Sequence, residues 1–271
     1  MSENTPVLAV SGLCAGYRST VISDITFSLR PGEILCVAGE SGCGKSTLLK
    51  ALMGVDDAVH ITAGEIRLLG QSLSALPVRE RQRFCCARMG MIFQNPGASF
   101  DPIRPYGAQF RETLKSHGKY RKARFAADAA AAFAKLGLTD SARILASRPY
   151  ELSGGMNQRA AMALALLLEQ RILLSDEPTS ALDAAVRLQA ARELKKLSRE
   201  DGIAQIVVTH DLALARFLSD SIAVLHGGRF VEYGDTETVL HAPGHPYTKE
   251  LLQAVPRLEC SEGACPCAYW R

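Results

Sequence analysis

The sequence lacks any long hydrophobic run. Crossing a bilayer as a helix takes about 20 consecutive apolar residues; the longest unbroken apolar stretch, Ala160 to Leu168, is about half that. The opening residues, MSENTPVLAV, lack the basic start and apolar core of a secretion leader. Net charge is only +3, without the strong basic bias of a nucleic-acid binder, so nucleic acid is not an expected partner. Cys14, Cys36, Cys43, Cys85 and Cys86 are scattered without a pairing pattern, as in a chain kept reduced. There is no internal repeat and no long flexible linker. These absences predict a soluble, cytosolic protein. Any work at a membrane then requires another component to hold it there.

With 271 residues and 47% apolar content, the chain can bury a sizeable core as one large domain or two small ones. Val7–Val10 reads as a short strand, and residues 21–29 alternate with a period near two, as a half-buried strand does. Residues 33–39, 171–176 and 204–209 are apolar runs of the kind covered on both faces. Gly64–Gly70 suggests another early strand, and residues 222–225 and 229–232 flank His226-Gly227-Gly228 as a hairpin. Residues 46–53 and 186–199 read as helices, and from about 96 to 168 the pattern is helical throughout, including the alanine-rich run 126–134. Strands alternating with helices imply an α/β fold with a largely parallel sheet. The basic stretch Arg104, Arg111, Lys115, Lys119, Arg121, Lys122 and Arg124 reads as a solvated helix face, with lipid headgroups or a membrane partner as the alternative.

The chemistry lies at the strand ends. Gly39-Glu40-Ser41-Gly42-Cys43-Gly44-Lys45-Ser46 fits G-x-x-x-x-G-K-[ST], directly after a buried strand and before a helix that continues through Thr47. Backbone N–H groups in such a loop, with the helix N-terminus, present positive potential to phosphate oxygens. Lys45 is placed for the β- and γ-phosphates and Ser46 for Mg²⁺. Leu173-Leu174-Ser175-Asp176-Glu177 is an apolar strand ending in two carboxylates: Asp176 can hold Mg²⁺, and Glu177 can polarise an attacking water. These two motifs occur in many nucleoside triphosphatases, kinases and switch GTPases included. Leu152-Ser153-Gly154-Gly155, about twenty residues before the carboxylates, reads either as a simple helix N-cap at Ser153 or as a second anion-binding helix terminus.

In this combination the sequence resembles the ABC ATPase family. The resemblance runs from about residue 7 to 256. It implies a P-loop (RecA-like) core with a mostly parallel sheet, an N-terminal antiparallel β region and a helical subdomain over about 96–168. On that resemblance Ser153, Gly154 and Gly155 form the signature that caps ATP on a second, head-to-tail ATPase. Tyr17 lies where an aromatic stacks on adenine. Gln94, in Met91-Ile92-Phe93-Gln94-Asn95-Pro96, matches a glutamine that senses Mg²⁺ and links to the membrane subunits. Ser180-Ala181-Leu182-Asp183 matches the loop crossing between paired ATPases, and His210 the switch histidine at the γ-phosphate. Met156 and Asn157 replace the glutamines common after the signature glycines, with no expected change in chemistry.

The segment His245-Pro246-Tyr247-Thr248-Lys249-Glu250-Leu251-Leu252 is by itself only a turn and a short amphipathic helix. It looks like the start of the C-terminal extension, residues 243–271, of ATPases serving dipeptide, oligopeptide and nickel importers. The implied partners are a second ATPase, as a paralogue or an identical copy, two membrane permeases and an extracytoplasmic binding protein. The implied place is the cytoplasmic face of the inner membrane, bound peripherally. Nickel or metal-chelate cargo is the alternative to peptide; a soluble ABC ATPase or a kinase of the same core is the more distant one. Members of this importer group often hold an iron–sulfur cluster in a cysteine-rich tail. Clusters usually take four thiolates, whereas Cys260, Cys265 and Cys267 supply three, so a cluster and a bare tail both stay open.

Overall fold

The computed structural model describes residues 5–180 and 182–253. In chain order these form β1 (Leu8–Gly16), β2 (Thr20–Leu29), β3 (Ile34–Ala38), α1 (Lys45–Met53), β4 (His60–Leu68), β5 (Gln71–Ser72), α2 (Val78–Cys86), β6 (Met89–Ile92), α3 (Tyr106–Ser116), α4 (Phe125–Lys135), α5 (Ser141–Ala146), α6 (Gly154–Leu167), β7 (Ile172–Asp176), α7 (Ala184–Asp201), β8 (Ala204–Thr209), α8 (Leu212–Leu218), β9 (Ser221–His226), β10 (Arg229–Asp235), α9 (Thr236–His241) and α10 (Pro246–Gln253). Short 3-10 turns at Pro96–Ser99 and Pro149–Glu151 join the helical stretch. Ala181 and the three tail cysteines, Cys260, Cys265 and Cys267, lie outside the described residues.

Two sheets form. The early strands make an antiparallel sheet in the order β2-β1-β4-β5, and the later ones a second sheet in the order β10-β9-β3-β8-β7-β6. In the second sheet β9, β3, β8, β7 and β6 are parallel, and only β10 runs against its neighbour. The apolar runs are strands buried on both faces, and their period of two divides them between two cores. In β3, Ile34, Cys36 and Ala38 face the core built with α3–α8, while Leu35 and Val37 face the core shared with the antiparallel sheet and α1. Leu173 and Val207 follow the first set; Ile172, Leu174, Ile206 and Val208 follow the second.

Five elements have no counterpart in the sequence reading: β5, α2, β6, α8 and α9. Met89–Ile92 is a strand, paired in parallel with β7 from Met89↔Ile172 to Ile92↔Ser175. It is four residues long and interrupted by Gly90, so it gives almost no periodic signal. The glycine is required by packing: a Cβ there would lie 1.8 Å from Gln170 Oε1, and Gln170 is held by its Nε2 donating to the Met89 carbonyl at 3.1 Å. Val78–Cys86 is a helix of mostly polar residues that buries only Cys85 fully. Of the basic stretch, Arg104 pairs with Glu112, Lys119 with Glu169 and Arg124 with Asp128, while Arg111 and Lys115 lie over the rings of Phe125 and Tyr120. No helix among the described residues is long and apolar enough to cross a membrane.

Candidate nucleotide-hydrolysis site

Parallel strands all deliver their C-terminal ends to one edge of the sheet, and in open α/β sheets that edge is where ligands bind. Here β3 ends in the loop 39–44, β6 is followed by Gln94, β7 ends at Asp176-Glu177, and β8 is followed by His210. A cleft of about 240 Å³ opens there, lined by Val21, Ser41, Gly42, Gly44, Lys45, Ser46, Thr47, Gln94, Asp176 and Glu177. The residues the sequence spreads over more than 130 positions share this one opening.

The loop has its shape because glycine allows it. Gly44, at φ +112°, caps the N-terminus of α1, and a Cβ on it would lie 2.7 Å from Ile22 Cγ2. A Cβ on Gly39 would lie 2.3 Å from the Leu225 carbonyl oxygen, so the loop rests directly on the end of β9. No side chain caps α1, which leaves its N-terminal amides to a ligand. Lys45 is 7% exposed, and its Nζ donates to the carbonyls of Gly39 and Glu40, both at 2.7 Å. The ammonium is thus held at the mouth of the loop by the loop's own backbone.

Ser46 Oγ donates to Asp176 Oδ2 at 2.8 Å. A hydroxyl and a carboxylate side by side at a phosphate loop are hard oxygen donors suited to Mg²⁺. Glu177 leaves β7 with φ +45°, a left-handed conformation uncommon outside glycine. Its N–H donates to the Val208 carbonyl at 3.0 Å, and its own carbonyl accepts from Ser180 Oγ at 3.0 Å. The turn aims the carboxylate into the opening. There Oε2 accepts from Gln94 Nε2 at 3.4 Å, and Oε1 lies 3.1 Å from His210 Nδ1.

The remaining sequence candidates stand elsewhere. Tyr17 is 41% exposed, with the Lys50 ammonium 5.9 Å from its ring centre, and it does not line the cleft. Ser153 caps α6, its Oγ accepting the Met156 N–H at 3.4 Å. Ser153 and Gly154 are exposed, whereas Gly155 is buried where a Cβ would lie 2.7 Å from Val186 Cγ1 of α7. Asp183 caps α7 through Oδ1 and the Val186 N–H at 3.0 Å. None of these five lines the cleft formed by their own chain.

Contacts made by three residues, Asn157, Arg159 and Arg187, have no clear sequence signal. Asn157 is buried, accepts the Tyr106 hydroxyl at 2.7 Å and donates to the Pro149 carbonyl at 3.1 Å, fixing α6 to α3. Arg159 of α6 pairs with Glu193 of α7 at 3.1 Å, and burial pushes the Glu193 carboxyl up to about 7. Arg187 reaches Asp211 and the Leu182 carbonyl, both at 3.4 Å, and so joins the segment before α7 to the residue beside His210.

The sheet and its cleft define a nucleoside triphosphatase of the phosphate-loop class. The chain belongs to the ABC transporter family: that family's model matches residues 22–180, more than half of the chain. The model of the oligopeptide/dipeptide transporter C-terminal region matches residues 231–264. The oligopeptide transport ATP-binding protein OppD of Haemophilus influenzae is 36% identical over 95% of this chain and 81% of its own length. The dipeptide transport ATP-binding protein DppD of Escherichia coli is 36% identical over 92% and 79%. Among solved structures, the dimeric post-hydrolysis state of the ATP-binding cassette MJ0796 with ADP and Pi aligns with a TM-score of 0.73 at 26% identity, over 84% of this chain and 98% of that one. The cbiO1 subunit from Clostridium perfringens, at 22% identity and a TM-score of 0.77 over 88% and 91%, shares the fold. The chain is therefore an ATP-binding, ATP-hydrolysing ABC subunit.

Proposed function

We propose that this chain powers the import of dipeptides or oligopeptides as one of a pair of ATPases on the cytoplasmic face of the inner membrane. The observation that carries the hydrolytic part is the Glu177 carboxylate, held between Gln94 and His210 beside Lys45, Ser46 and Asp176. Lys45 binds the β- and γ-phosphates, and Ser46, Asp176 and Gln94 hold Mg²⁺. When bound, the ion neutralises charge on the phosphate oxygens. Glu177 accepts the proton of the attacking water, and His210 positions the γ-phosphate. Gly39 to Thr47 cradle the phosphates, and Tyr17 stacks on the adenine.

Ser153, Gly154, Gly155 and Asp183 act on the nucleotide of the second ATPase. The exposure of Ser153 and Gly154 at a helix N-terminus supports that reading. A groove of about 380 Å³ beside Gln94, lined by Met53, Val55, Phe93, Phe100 and Leu164 among others, suits an apolar permease helix. Val55 and Phe93, each 46% exposed, add apolar surface at its rim.

The peptide assignment is supported by the names of the relatives and the match at residues 231–264. An iron–sulfur cluster on Cys260, Cys265 and Cys267 would need a fourth thiolate or another ligand. The test is reconstitution with the permeases, the paired ATPase and the binding protein in vesicles. ATP-dependent peptide accumulation, lost in Glu177→Gln, is the expected result. Accumulation of nickel in place of peptide would sink the cargo assignment, and ATP hydrolysis indifferent to every membrane component would sink the transport role.

A further inference from the structure

The segment opening α10 is more than a turn and a helix. His245 Nδ1 accepts the Tyr247 N–H at 3.2 Å and so caps the helix, while Pro246 takes its first position, where no donor is needed. The Glu232 carboxylate of β10 accepts the N–H groups of Gly244 at 2.7 Å and His245 at 3.2 Å, which ties the turn down. Tyr247 is thereby directed inward and is 7% exposed. Its ring lies on the His226 imidazole at the end of β9, centroids 3.9 Å apart and planes at 33°. Its hydroxyl oxygen accepts the N–H of Glu40 at 3.2 Å.

Glu40 belongs to the phosphate loop, and its carbonyl accepts from Lys45 Nζ. Residue 40 is therefore fastened on both sides, its N–H by the C-terminal helix and its C=O by the loop lysine. Gly39, next to it, rests on the Leu225 carbonyl of β9. Burial pushes the Tyr247 phenol up, so it stays a neutral hydroxyl.

We propose that Tyr247 is a positioning residue for the phosphate loop: through its hydroxyl the C-terminal helix holds the Glu40 amide and presets the loop for ATP. The loop binds phosphate through backbone N–H groups, so its affinity depends on how they are oriented before ATP arrives. A bond that fixes the loop beforehand lowers the ordering cost of binding. This rests on the reading of residues 39–46 as the phosphate site.

The test is Tyr247→Phe in the full chain, which keeps the ring on His226 and deletes only the hydroxyl. The Kd and KM for ATP should rise about 3- to 10-fold, the range of one ordinary hydrogen bond. The kcat at saturating ATP should be retained, because bound phosphates hold the loop themselves. Amide exchange in the peptide spanning residues 39–45 should quicken without nucleotide and return to the parental rate with ATP. Leu251→Ala, which loosens the same helix from the core side, should lower Tm and leave KM alone. A KM and loop exchange in Tyr247→Phe equal to the parent's would overturn the proposal, as would an equal rise of KM in Leu251→Ala. Lys45→Ala separates the two readings: if it still binds ATP like the parent, the phosphate-site assignment itself has failed.

Discussion

Glu177 and His210, 33 positions apart in sequence, meet at 3.1 Å, carboxylate to imidazole. The sheet register produces the contact: Asp176 of β7 pairs with Val208 of β8, so the residues just past each strand emerge side by side. The left-handed backbone at Glu177 then turns its carboxylate toward the histidine and Gln94. Such a conformation costs on the order of 1–3 kcal/mol and persists where the surroundings enforce it, here by the Val208 and Ser180 hydrogen bonds.

Glu177→Gln keeps the size of this side chain and removes the carboxylate proposed as the base. Turnover in the assembled transporter should fall by about 10²–10⁴, the usual worth of general-base help. ATP binding should survive, and the pair should accumulate in a nucleotide-loaded form. Single-turnover hydrolysis and retained radiolabelled ATP measure the two halves. Parental turnover in this variant would remove Glu177 from the mechanism.

Lys45 places a buried ammonium 2.7 Å from two backbone carbonyls. Hydrogen bonds to charged groups are worth about 1.5–3 kcal/mol, so Lys45→Ala should weaken ATP binding by roughly 10- to 150-fold. The same variant leaves the Gly39 and Glu40 carbonyls without their donor, and Tm should fall as well. Equilibrium dialysis with ATP and thermal unfolding, read on one preparation, separate the two effects.

What could be read in advance was what is local. The run β3, glycine loop, lysine and α1 is contiguous, and each residue's role follows from its neighbours in sequence. The carboxylates after β7 are legible for the same reason. Ser153-Gly154-Gly155 is different: by itself it is a good helix cap, and only the order of the surrounding motifs gave it more meaning. Met89–Ile92 escaped because a strand of four residues carries too little pattern, and the buried Gln170 that defines it lies 81 residues away. Tyr247 and Glu40 are 207 residues apart. No period or spacing encodes a contact of that range; it exists because β9 ends and α10 begins beside the same loop.

Asn157 illustrates a role that motif comparison undervalued. It stands where glutamine is common after the signature glycines, and it is the buried acceptor of the Tyr106 hydroxyl. Tyr106→Phe leaves the Asn157 carbonyl oxygen without that donor, at a cost of about 1–3 kcal/mol. Tm should fall by several degrees. Adding Asn157→Leu removes the orphaned oxygen but also the donor to the Pro149 carbonyl, so the double variant should lose less than the two single changes summed. If the double variant is less stable than the sum of the two single changes, the hydrogen bond is not what couples these helices.

The Arg159–Glu193 pair joins α6 to α7, and it makes stability depend on pH. Burial raises the Glu193 carboxyl from its ordinary 4.5 to about 7, although the arginine pulls the other way. Between those values the folded chain holds a proton that the unfolded chain has released. The stabilisation from this site is therefore complete below about 4.5 and is lost as pH rises through 7. Glu193→Gln mimics the protonated form at every pH. The variant and parent should have similar Tm near pH 5, and the variant should gain on the parent steadily toward pH 8. A Tm difference that is flat across that range would show that Glu193 titrates normally, and that Arg159 holds it ionised throughout.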